Sequence, residues 1–437
     1  MVSVDEKISR IKHLDPVRYL GTVRRVQGLL IESDGPAASL DDLCTIESGD
    51  GSHPIPAEVV GFRDHRLLLM ALGNMSGIRP GDLVSTKRRT LEIGVGNQLL
   101  GRVVGGMGEP IDGRGALNCQ DKVSIRRDPP KPLKRQRISS PLGTGIRAVD
   151  SLLTCGRGQR LGIFSGSGVG KSVLLGMMAR YTEADVSVIG LVGERGREVR
   201  EFLEKDLGEL GLKRSVVVAV TSDRPSLERV KGAFIATAIA EYFRDQGKDV
   251  LLLMDSVTRV AQAQREVGLT VGEPPATKGY PPSVFAMLPK LLERSGTAEH
   301  GSITGLYTVL VEGDDLSEPV SDTVRSILDG HVVLSRKIAD RGLYPAVDIL
   351  SSVSRVMIDV VDKKQMKAAQ FVKEMMARYT EAEDLIHIGA YKKGSDPRID
   401  LSLEMIAPIR KHLCQNIDEG CSWEQSKQQL LALAAKV

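Results

Sequence analysis

The stretch GIFSGSGVGKSVLLG, residues 162–176, decides the fold of this chain. An apolar run leads into a glycine-rich turn, and the pair Lys171–Ser172 then opens a second apolar run. A strand, a glycine-rich turn and a helix in this order form a phosphate-binding loop, because the turn directs backbone N–H groups inward and the helix adds its positive end. The sequence therefore predicts that this segment binds nucleotide phosphates.

Two side chains in the loop have specific predicted tasks. Lys171 reaches the β- and γ-phosphates, and the hydroxyl of Ser172 ligates Mg²⁺. The strict pattern has glycine where this chain has Ser165, and a small residue serves there if its backbone angles are ordinary. The residues predicted to bind nucleotide in this segment are Gly166, Ser167, Gly168, Val169, Gly170, Lys171, Ser172 and Val173.

Two carboxylates are candidates for the remaining chemistry of nucleotide hydrolysis. Asp255 ends the apolar run DVLLLMD, where a metal-holding carboxylate is expected. Glu194 follows the apolar run VSVIGLVG, and a carboxylate just beyond a buried parallel strand lies on the edge where ligands bind. Such a group can act as a general base. Spacing alone is equally compatible with a surface ion pair between Glu194 and Arg195 or Arg197.

The rest of the chain predicts three regions around this loop. Short alternating runs separated by turns over residues 21–90 predict a small β-barrel. Near-continuous apolar runs alternating with amphipathic helices predict an α/β domain with a mostly parallel sheet over residues 91–360. The pattern is helical over residues 361–437. Residues 1–20 are either a frayed terminus or a partner-binding lead.

Two local patterns add detail to this prediction. The segment PSLERVKGAFIATAIAEYFRDQG is typical of a helix with Ser222 or Asp223 as its N-cap and Pro225 in its first turn. The loop GLTVGEPPATKGYPP, residues 268–282, contains three glycines and four prolines, and it therefore cannot be helix or strand throughout.

Composition argues against several classes of protein. The net charge of +3 over 437 residues gives no reason to expect a nucleic-acid partner. An oligonucleotide-binding barrel needs aromatic stacking platforms, and the first hundred residues contain only Tyr19 and Phe62. The five cysteines are far apart, which suits a reducing cytosol. The start of the chain has no apolar core of signal-peptide length, and no uncharged apolar run approaches the roughly 20 residues that a membrane span needs.

Five motifs resemble, in order, the catalytic β subunit of rotary ATP synthases and, more closely, the hexameric ATPases of type III secretion. They are GSGVGKSVLLGMMAR, VGERGREV, DSVTRVAQAQREVGL, GEPPATKGYPPSVFAMLPKLLERSG and RGLYPAVDILSSVSRVM. The fourth of them separates the export ATPases from the rotary synthase subunits. The flagellum-specific branch is the most similar in four further segments, with the virulence injectisome branch close behind: GTVRRVQGLLIES, AEVVGFRD, PPKPLKRQRISSPLGTGIRAVD and GAYKKGSDPRID.

This resemblance, which runs from about residue 20 to the end, implies a RecA-like P-loop core and specific roles. Glu194 would be the general base, with Arg195 beside it. Asp255 would hold the metal through water. Tyr344 would stack on adenine, and Arg355 would be an arginine finger that enters the site of the neighbouring subunit.

The resemblance also implies cofactors, partners and a location. The cofactors would be ATP and Mg²⁺, and the assembly would be a homohexamer whose loop 268–282 lines a pore that receives a central coiled-coil stalk protein. Further partners would be a peripheral-stalk-like regulator, the export gate membrane proteins and chaperone–cargo complexes, with no nucleic acid. The chain would be cytoplasmic and peripherally associated with the inner-membrane export apparatus.

Two other classes of protein share parts of this pattern. A hexameric RNA-dependent helicase or termination factor also joins a small barrel to such a core, although the near-neutral charge and the scarcity of N-terminal aromatic residues argue against it. A rotary synthase subunit is the other class, and the segment GEPPATKGYPP argues against it. The function expected from the sequence and the resemblance is Mg-dependent ATP hydrolysis that energises flagellar type III protein export, with unloading of chaperone and cargo at the export gate. The alternative within the same family is the ATPase of a virulence injectisome.

Overall fold

A computed structural model describes residues 19–47, 53–311 and 317–435 of the chain. In these ranges a closed barrel comes first, an α/β sheet second and a group of helices last. This confirms the predicted fold class, a small N-terminal β-barrel followed by a RecA-like core with a mostly parallel sheet and a C-terminal helical domain. Residues 1–18, which make up most of the predicted partner-binding lead, lie outside the described residues.

The barrel consists of six short strands. They are β1 (Tyr19–Gln27), β2 (Leu30–Asp34), β3 (Leu43–Glu47), β4 (Ile55–Arg63), β5 (Arg66–Ala71) and β6 (Leu83–Thr86). They close antiparallel in the order β1–β2–β5–β4–β3–β6. Their alternating side chains leave Val23, Ile31 and Leu69 inside, where they form the barrel core.

A large sheet follows the barrel. The connecting ribbons are β7 (Glu92–Val95) with β9 (Asp121–Ser124), and β10 (Pro141–Leu142) with β11 (Cys155–Gly156). The sheet contains β8 (Val103–Val104), β12 (Arg160–Ser165), β13 (Val186–Val192), β14 (Ser215–Val220), β15 (Asp249–Asp255), β16 (Gly296–Thr297), β17 (Ser302–Leu310), β18 (Gly330–Leu334) and β19 (Val347–Ser354). The order is β19–β18–β12–β17–β15–β13–β14–β8, and all these pairs except β18–β19 are parallel.

Helices cover both faces of this sheet and form the C-terminal region. They are α1 (Arg147–Leu152), α2 (Lys171–Tyr181), α3 (Gly196–Glu201), α4 (Gly208–Lys213), α5 (Ser226–Asp245), α6 (Val257–Val271), α7 (Pro282–Leu292), α8 (Pro319–Ile327), α9 (Arg336–Asp340), α10 (Met357–Val360), α11 (Lys363–His387), α12 (Pro397–Leu413) and α13 (Trp423–Ala434). A π-helical turn, Phe202–Leu207, joins α3 to α4. Because both faces are covered, the central strands are apolar along their whole length.

The parallel strands bring their carboxyl ends to one edge of the sheet, called here the carboxyl edge. Ser165 ends β12, Val192 ends β13 and Asp255 ends β15. In β13 and β15, Leu191 is paired with Asp255, so the residues that follow β13 lie beside the end of β15. Groups far apart in sequence therefore meet at this edge.

The last strand of the sheet, β19, crosses from the carboxyl edge to the opposite, amino edge. It runs antiparallel to β18, so it starts beside Leu334, the last residue of β18, and finishes beside Gly330, the first. Tyr344 lies shortly before β19 and Arg355 directly follows it. These two predicted site residues therefore lie at opposite edges of the sheet.

The barrel is fixed to α5 and to the end of α6, where the loop between α6 and α7 begins. The ammonium group of Lys231 on α5 lies 2.6 Å from a carboxylate oxygen of Glu58 in β4, and both side chains are buried. Arg63 also donates a hydrogen bond of 3.2 Å to the carbonyl of Val271, the last residue of α6. A buried, hydrogen-bonded ion pair holds one geometry, because losing either partner leaves a buried charge unpaired.

Two local predictions have different outcomes. Helix α5 begins at Ser226 with Pro225 as its cap, so the predicted N-cap at Ser222 or Asp223 and the place of Pro225 in the first turn are wrong. The backbone N–H of Arg224 instead donates to the carbonyl of Thr221 at 3.1 Å, which closes a turn over Ser222 and Asp223, and the N–H of Ser222 donates to the carbonyl of Glu194 at 3.0 Å. The loop prediction is confirmed, because only one 3₁₀ turn, Thr277–Gly279, lies between α6 and α7.

Candidate active site

The predicted phosphate loop connects β12 to α2 at the carboxyl edge. Gly168 (φ 78°) and Gly170 (φ 86°) have left-handed backbones, which a glycine adopts without strain. Alternation of left- and right-handed residues turns successive N–H groups toward one point. Ser165 is the last residue of β12 and has an ordinary extended backbone, so the missing glycine does not disturb the loop.

Three charged side chains meet next to the loop. The ammonium group of Lys171, in the first turn of α2, donates a hydrogen bond of 2.5 Å to Asp255 and lies 3.8 Å from a carboxylate oxygen of Glu194. Asp255 is almost fully buried at the end of β15. The structure therefore brings together the lysine and both carboxylates that the sequence predicted for this site.

Two further side chains, which were not among the site residues predicted from the sequence, complete this cluster. The hydroxyl of Thr308 in β17 donates a hydrogen bond of 2.6 Å to Asp255. The guanidinium Nε of Arg259 in α6 lies 3.5 Å from Glu194, and this buried nitrogen has no hydrogen-bond partner among the described residues. A buried guanidinium N–H that makes no hydrogen bond can donate to a phosphate oxygen supplied by a ligand.

The carboxyl group of Glu194 has an unusual proton affinity. Burial, a hydrogen bond with the carboxyl of Glu198 and the negative charge of Asp255 together raise its pKa to about 7, although the positive charges of Lys171 and Arg259 act in the opposite direction. The same hydrogen bond lowers the pKa of Glu198. A carboxyl group with a pKa near 7 can accept and release a proton at neutral pH, as a general base must.

A cavity of 330 Å³ lies beside the phosphate loop on the side of α2. Its walls are mostly apolar, and it is lined by Gly170, Val173, Leu174, Met177, Tyr344, Pro345, Gln415, Asn416 and Ile417. Tyr344 is 46% exposed, and the edge of its ring lies 3.4 Å from where a β-carbon on Gly170 would be. A mostly apolar cavity beside the loop can receive an apolar group attached to phosphates bound in the loop.

Two predicted catalytic residues lie away from this cluster. Arg195 points into solvent with 79% of its side chain exposed, and its guanidinium lies 3.7 Å from the carboxylate of Glu198. Arg355 lies at the amino edge, where it donates a hydrogen bond of 3.3 Å to the carbonyl of Leu328. Within one chain, the guanidinium of neither residue pairs with Glu194 or Asp255, the carboxylates beside Lys171.

The donors near the loop fit a divalent metal ion that is held largely by nucleotide phosphates. Ser172 is exposed in the first turn of α2, and the carboxylate of Asp255 lies beside Lys171. Among residues 19–47, 53–311 and 317–435 no group of three or more His, Cys, Asp or Glu side chains is placed to hold a metal. Mg²⁺ suits such a sparse set, because it keeps waters and binds one or two protein ligands together with phosphates.

These features define a class of protein, a P-loop nucleotide-binding protein built on a parallel sheet. Sequence signatures identify the regions: the ATP synthase alpha/beta family nucleotide-binding domain matches residues 145–354, the beta-barrel domain of that family matches residues 23–87, and the T3SS EscN ATPase C-terminal domain matches residues 361–432. The chain belongs to the ATP synthase alpha/beta family, in the group of flagellum-specific ATP synthases and type 3 secretion system ATPases.

Three relatives illustrate this membership. The flagellum-specific ATP synthase of Bacillus subtilis is 53% identical over 98% of each chain. The type 3 secretion system ATPase of Xanthomonas euvesicatoria is 50% identical over 95% of this chain and 94% of the relative. The solved structure of the assembled ATPase EscN in complex with its central stalk EscO, from enteropathogenic E. coli, is 45% identical, with a TM-score of 0.88 over 95% of this chain and all of the other. The family resemblance seen in the sequence is thereby confirmed.

In the described part of the chain, no helix combines the length and the apolar character that crossing a membrane requires.

Proposed function

We propose that this chain hydrolyses Mg-ATP as a homohexamer and that the hydrolysis energises protein export through a flagellar type III apparatus. The observation that carries the proposal is the cluster of Lys171, Asp255 and Glu194 beside a phosphate loop, in a chain 53% identical to a flagellum-specific ATP synthase. The relative described as an assembled ATPase supports the hexamer, and its complex with a central stalk supports a stalk partner.

The proposed phosphate site is made by the loop and by Lys171. Backbone N–H groups of residues 166–173 bind the phosphates, and the ammonium group of Lys171 leaves Asp255 for the β- and γ-phosphate oxygens. Ser172 and Asp255 would hold Mg²⁺, which when bound neutralises charge that develops on the phosphates. Thr308 keeps the carboxylate of Asp255 oriented through its hydrogen bond of 2.6 Å.

In the proposed reaction Glu194 orients a water molecule and takes a proton from it. The carboxylate lies within reach of the γ-phosphate position, because it is 3.8 Å from the ammonium group of Lys171. The unpartnered Nε of Arg259 would donate to a phosphate oxygen, and Arg195 would approach the site from its exposed position. Phosphoryl transfer needs little more from a protein than such positioning and charge.

Arg355 would complete the site of a neighbouring chain, and the fold gives the reason. Its backbone N–H donates to the carbonyl of Asp329, whose own N–H donates to the carbonyl of Arg160 at the start of β12. The phosphate loop starts at the other end of β12, and the strand advances about 3.3 Å per residue. An arginine side chain cannot span the length of that strand, so any contact between Arg355 and a γ-phosphate must be made in trans.

We expect the variant Tyr344→Ala to bind ATP and ADP more weakly by roughly 1–3 kcal/mol, the usual contribution of an aromatic side chain stacked on a base. The ring lies beside Gly170 at the mouth of the 330 Å³ cavity. Titration calorimetry with ADP measures the change. Tyr344→Phe, which keeps the ring, is the control, and equal affinities for all three proteins would assign Tyr344 to packing only.

We expect kcat/KM for ATP hydrolysis to rise with pH through about 7, because the base must be deprotonated and the pKa of Glu194 is raised to about 7. Glu198→Gln removes one of the groups that raise the pKa of Glu194. The acidic limb of the pH–rate profile of this variant should therefore move to lower pH. Glu204→Gln, an exposed change on the same segment, controls for ionisation of ATP and buffer. A profile of Glu198→Gln that coincides with this control would contradict the assignment.

The loop between α6 and α7 is the proposed contact for the central stalk. Residues 274–278 are exposed, while Arg63 anchors the end of α6 to the barrel. Replacing residues 274–279 with a Gly/Ser segment of equal length should abolish stimulation of ATPase activity by the stalk protein and leave basal activity intact. Stimulation that survives the replacement would remove the loop from the proposal.

The further proposed partners are a peripheral-stalk-like regulator, the export gate membrane proteins and chaperone–cargo complexes, and the proposed location is the cytoplasmic side of the inner-membrane export apparatus. Co-purification from the native cell tests them, because flagellar and injectisome partners differ.

Replacing the wild-type chain with the Lys171→Ala variant in the native cell should stop assembly of the flagellar filament. Normal filaments would contradict the flagellar role, and ATPase activity that depends on added RNA would favour a nucleic-acid motor.

A further inference from the structure

One peptide group of the phosphate loop is held from outside the loop. The guanidinium Nη2 of Arg336, the first residue of α9, donates a hydrogen bond of 2.9 Å to the carbonyl oxygen of Ser167. Ser167 and Gly168 form the exposed turn of the loop. Arg336 is also exposed, so this contact contributes little to a buried core.

The carbonyl of Ser167 and the N–H of Gly168 belong to the same peptide unit. In a planar trans peptide these two groups point in opposite directions. A donor that holds the carbonyl outward therefore directs the N–H of Gly168 inward, toward the point where the loop N–H groups converge. Gly168 has a left-handed backbone (φ 78°) and no side chain that would resist rotation of this peptide.

We propose that Arg336 is a positioning residue that fixes the Ser167–Gly168 peptide in its anion-binding orientation. Without Arg336, the glycine-rich turn samples both orientations of this peptide, and phosphate binding has to select one of them. The inference rests on the proposed function, since it takes the loop to be the phosphate site.

The place of Arg336 in the fold makes it suitable for this task. Just beyond the other end of α9, Arg341 makes two hydrogen bonds, of 2.9 and 3.1 Å, to the carboxylate of Glu383 on α11. These contacts lower the pKa of Glu383, which keeps it ionised. Helix α9 is therefore tied to the C-terminal helices, and it carries the donor that holds the loop.

The variants Arg336→Ala and Arg336→Lys test the inference through ADP affinity, measured by calorimetry on the full-length chain. We expect Arg336→Ala to raise the Kd for Mg-ADP about tenfold, the effect of losing one well-aimed hydrogen bond to a charged group. Arg336→Lys keeps a donor and should lie between Arg336→Ala and the wild type. The nucleotide-free melting temperature should stay unchanged, which a merely structural role would not allow.

Arg114→Ala is the matched control. Arg114 is also exposed and donates a hydrogen bond of 3.0 Å to the carbonyl of Gly101, next to the sheet strand farthest from β19. Hydrogen–deuterium exchange of a peptide that contains residues 166–170 should increase in Arg336→Ala and not in Arg114→Ala.

The possible results separate this inference from the proposed function. Wild-type ADP affinity in both Arg336→Ala and Arg336→Lys would overturn the positioning role and leave the proposed function intact. A wild-type chain that binds no nucleotide would overturn the proposed function itself. If Arg336→Ala does not fold, Arg336→Met, which keeps an apolar side chain but has no donor, takes its place, and an unchanged Kd is the contrary result.

Discussion

The variant Arg355→Ala is expected to assemble and to bind ATP normally but to hydrolyse it about 10³–10⁵ times more slowly, the usual contribution of an arginine finger. The reason is geometric: Arg355 lies at the amino edge of its own sheet, out of reach of its own phosphate loop, so the proposed finger would act in the site of a neighbouring chain. Steady-state phosphate release and sedimentation of the assembled protein measure the two parts of this prediction. A fully active Arg355→Ala variant would exclude the finger.

Mixing two inactive variants tests the contact in trans. A Glu194→Gln chain keeps its finger, and an Arg355→Ala chain keeps its base. In a mixed assembly, an Arg355→Ala chain can supply the phosphate loop and Glu194, and a neighbouring Glu194→Gln chain can supply Arg355. Such a site is complete, so a mixture should regain activity that neither protein has alone. If the mixed assembly stays as inactive as its components, Arg355 does not act across a subunit boundary.

The second large effect is expected for Glu194→Gln, which should bind Mg-ATP and assemble but lose about 10²–10⁴-fold in kcat, the usual contribution of a general base. Glutamine has nearly the shape of glutamate, so packing beside Lys171 and Arg259 is kept while the proton acceptor is lost. Single-turnover hydrolysis measures the chemical step directly.

Glu201→Gln provides the control for that experiment. It makes the same chemical change on the exposed end of α3, where Glu201 pairs with Arg197. Unchanged turnover in Glu201→Gln and wild-type turnover in Glu194→Gln would together show that another group orients the water.

The parts of the fold that depend on local pattern could be predicted from the sequence. The runs RLGIF and DVLLLMD form β12 and β15, because a strand buried on both faces has to be apolar along its whole length. The start of α5 differs from the prediction because Pro225 disfavours a helical backbone at Arg224, the residue before it, and the N–H of Arg224 instead closes a turn by donating to the carbonyl of Thr221.

The site could be predicted only in part, since several contacts come from strand order. The sequence could have indicated Arg259 as a site residue, because it lies in the first turn of the helix that follows the strand ending in Asp255. Nothing in the sequence pattern indicates Thr308, which is one polar residue in an apolar run. It reaches Asp255 only because β17 and β15 are neighbours in the sheet. Arg336 likewise meets Ser167 through packing between elements distant in the chain.

Strand β19 has a consequence for the genetics of this protein. It joins Tyr344, which lines the cavity of its own chain, to Arg355, which in a ring would serve the next chain. A mutation that shifts β19 would therefore damage two nucleotide sites at once, that of its own chain and that of the next chain, whereas a mutation in the phosphate loop would damage one. In a cell that also makes the normal protein, alleles affecting β19 should be the more strongly dominant.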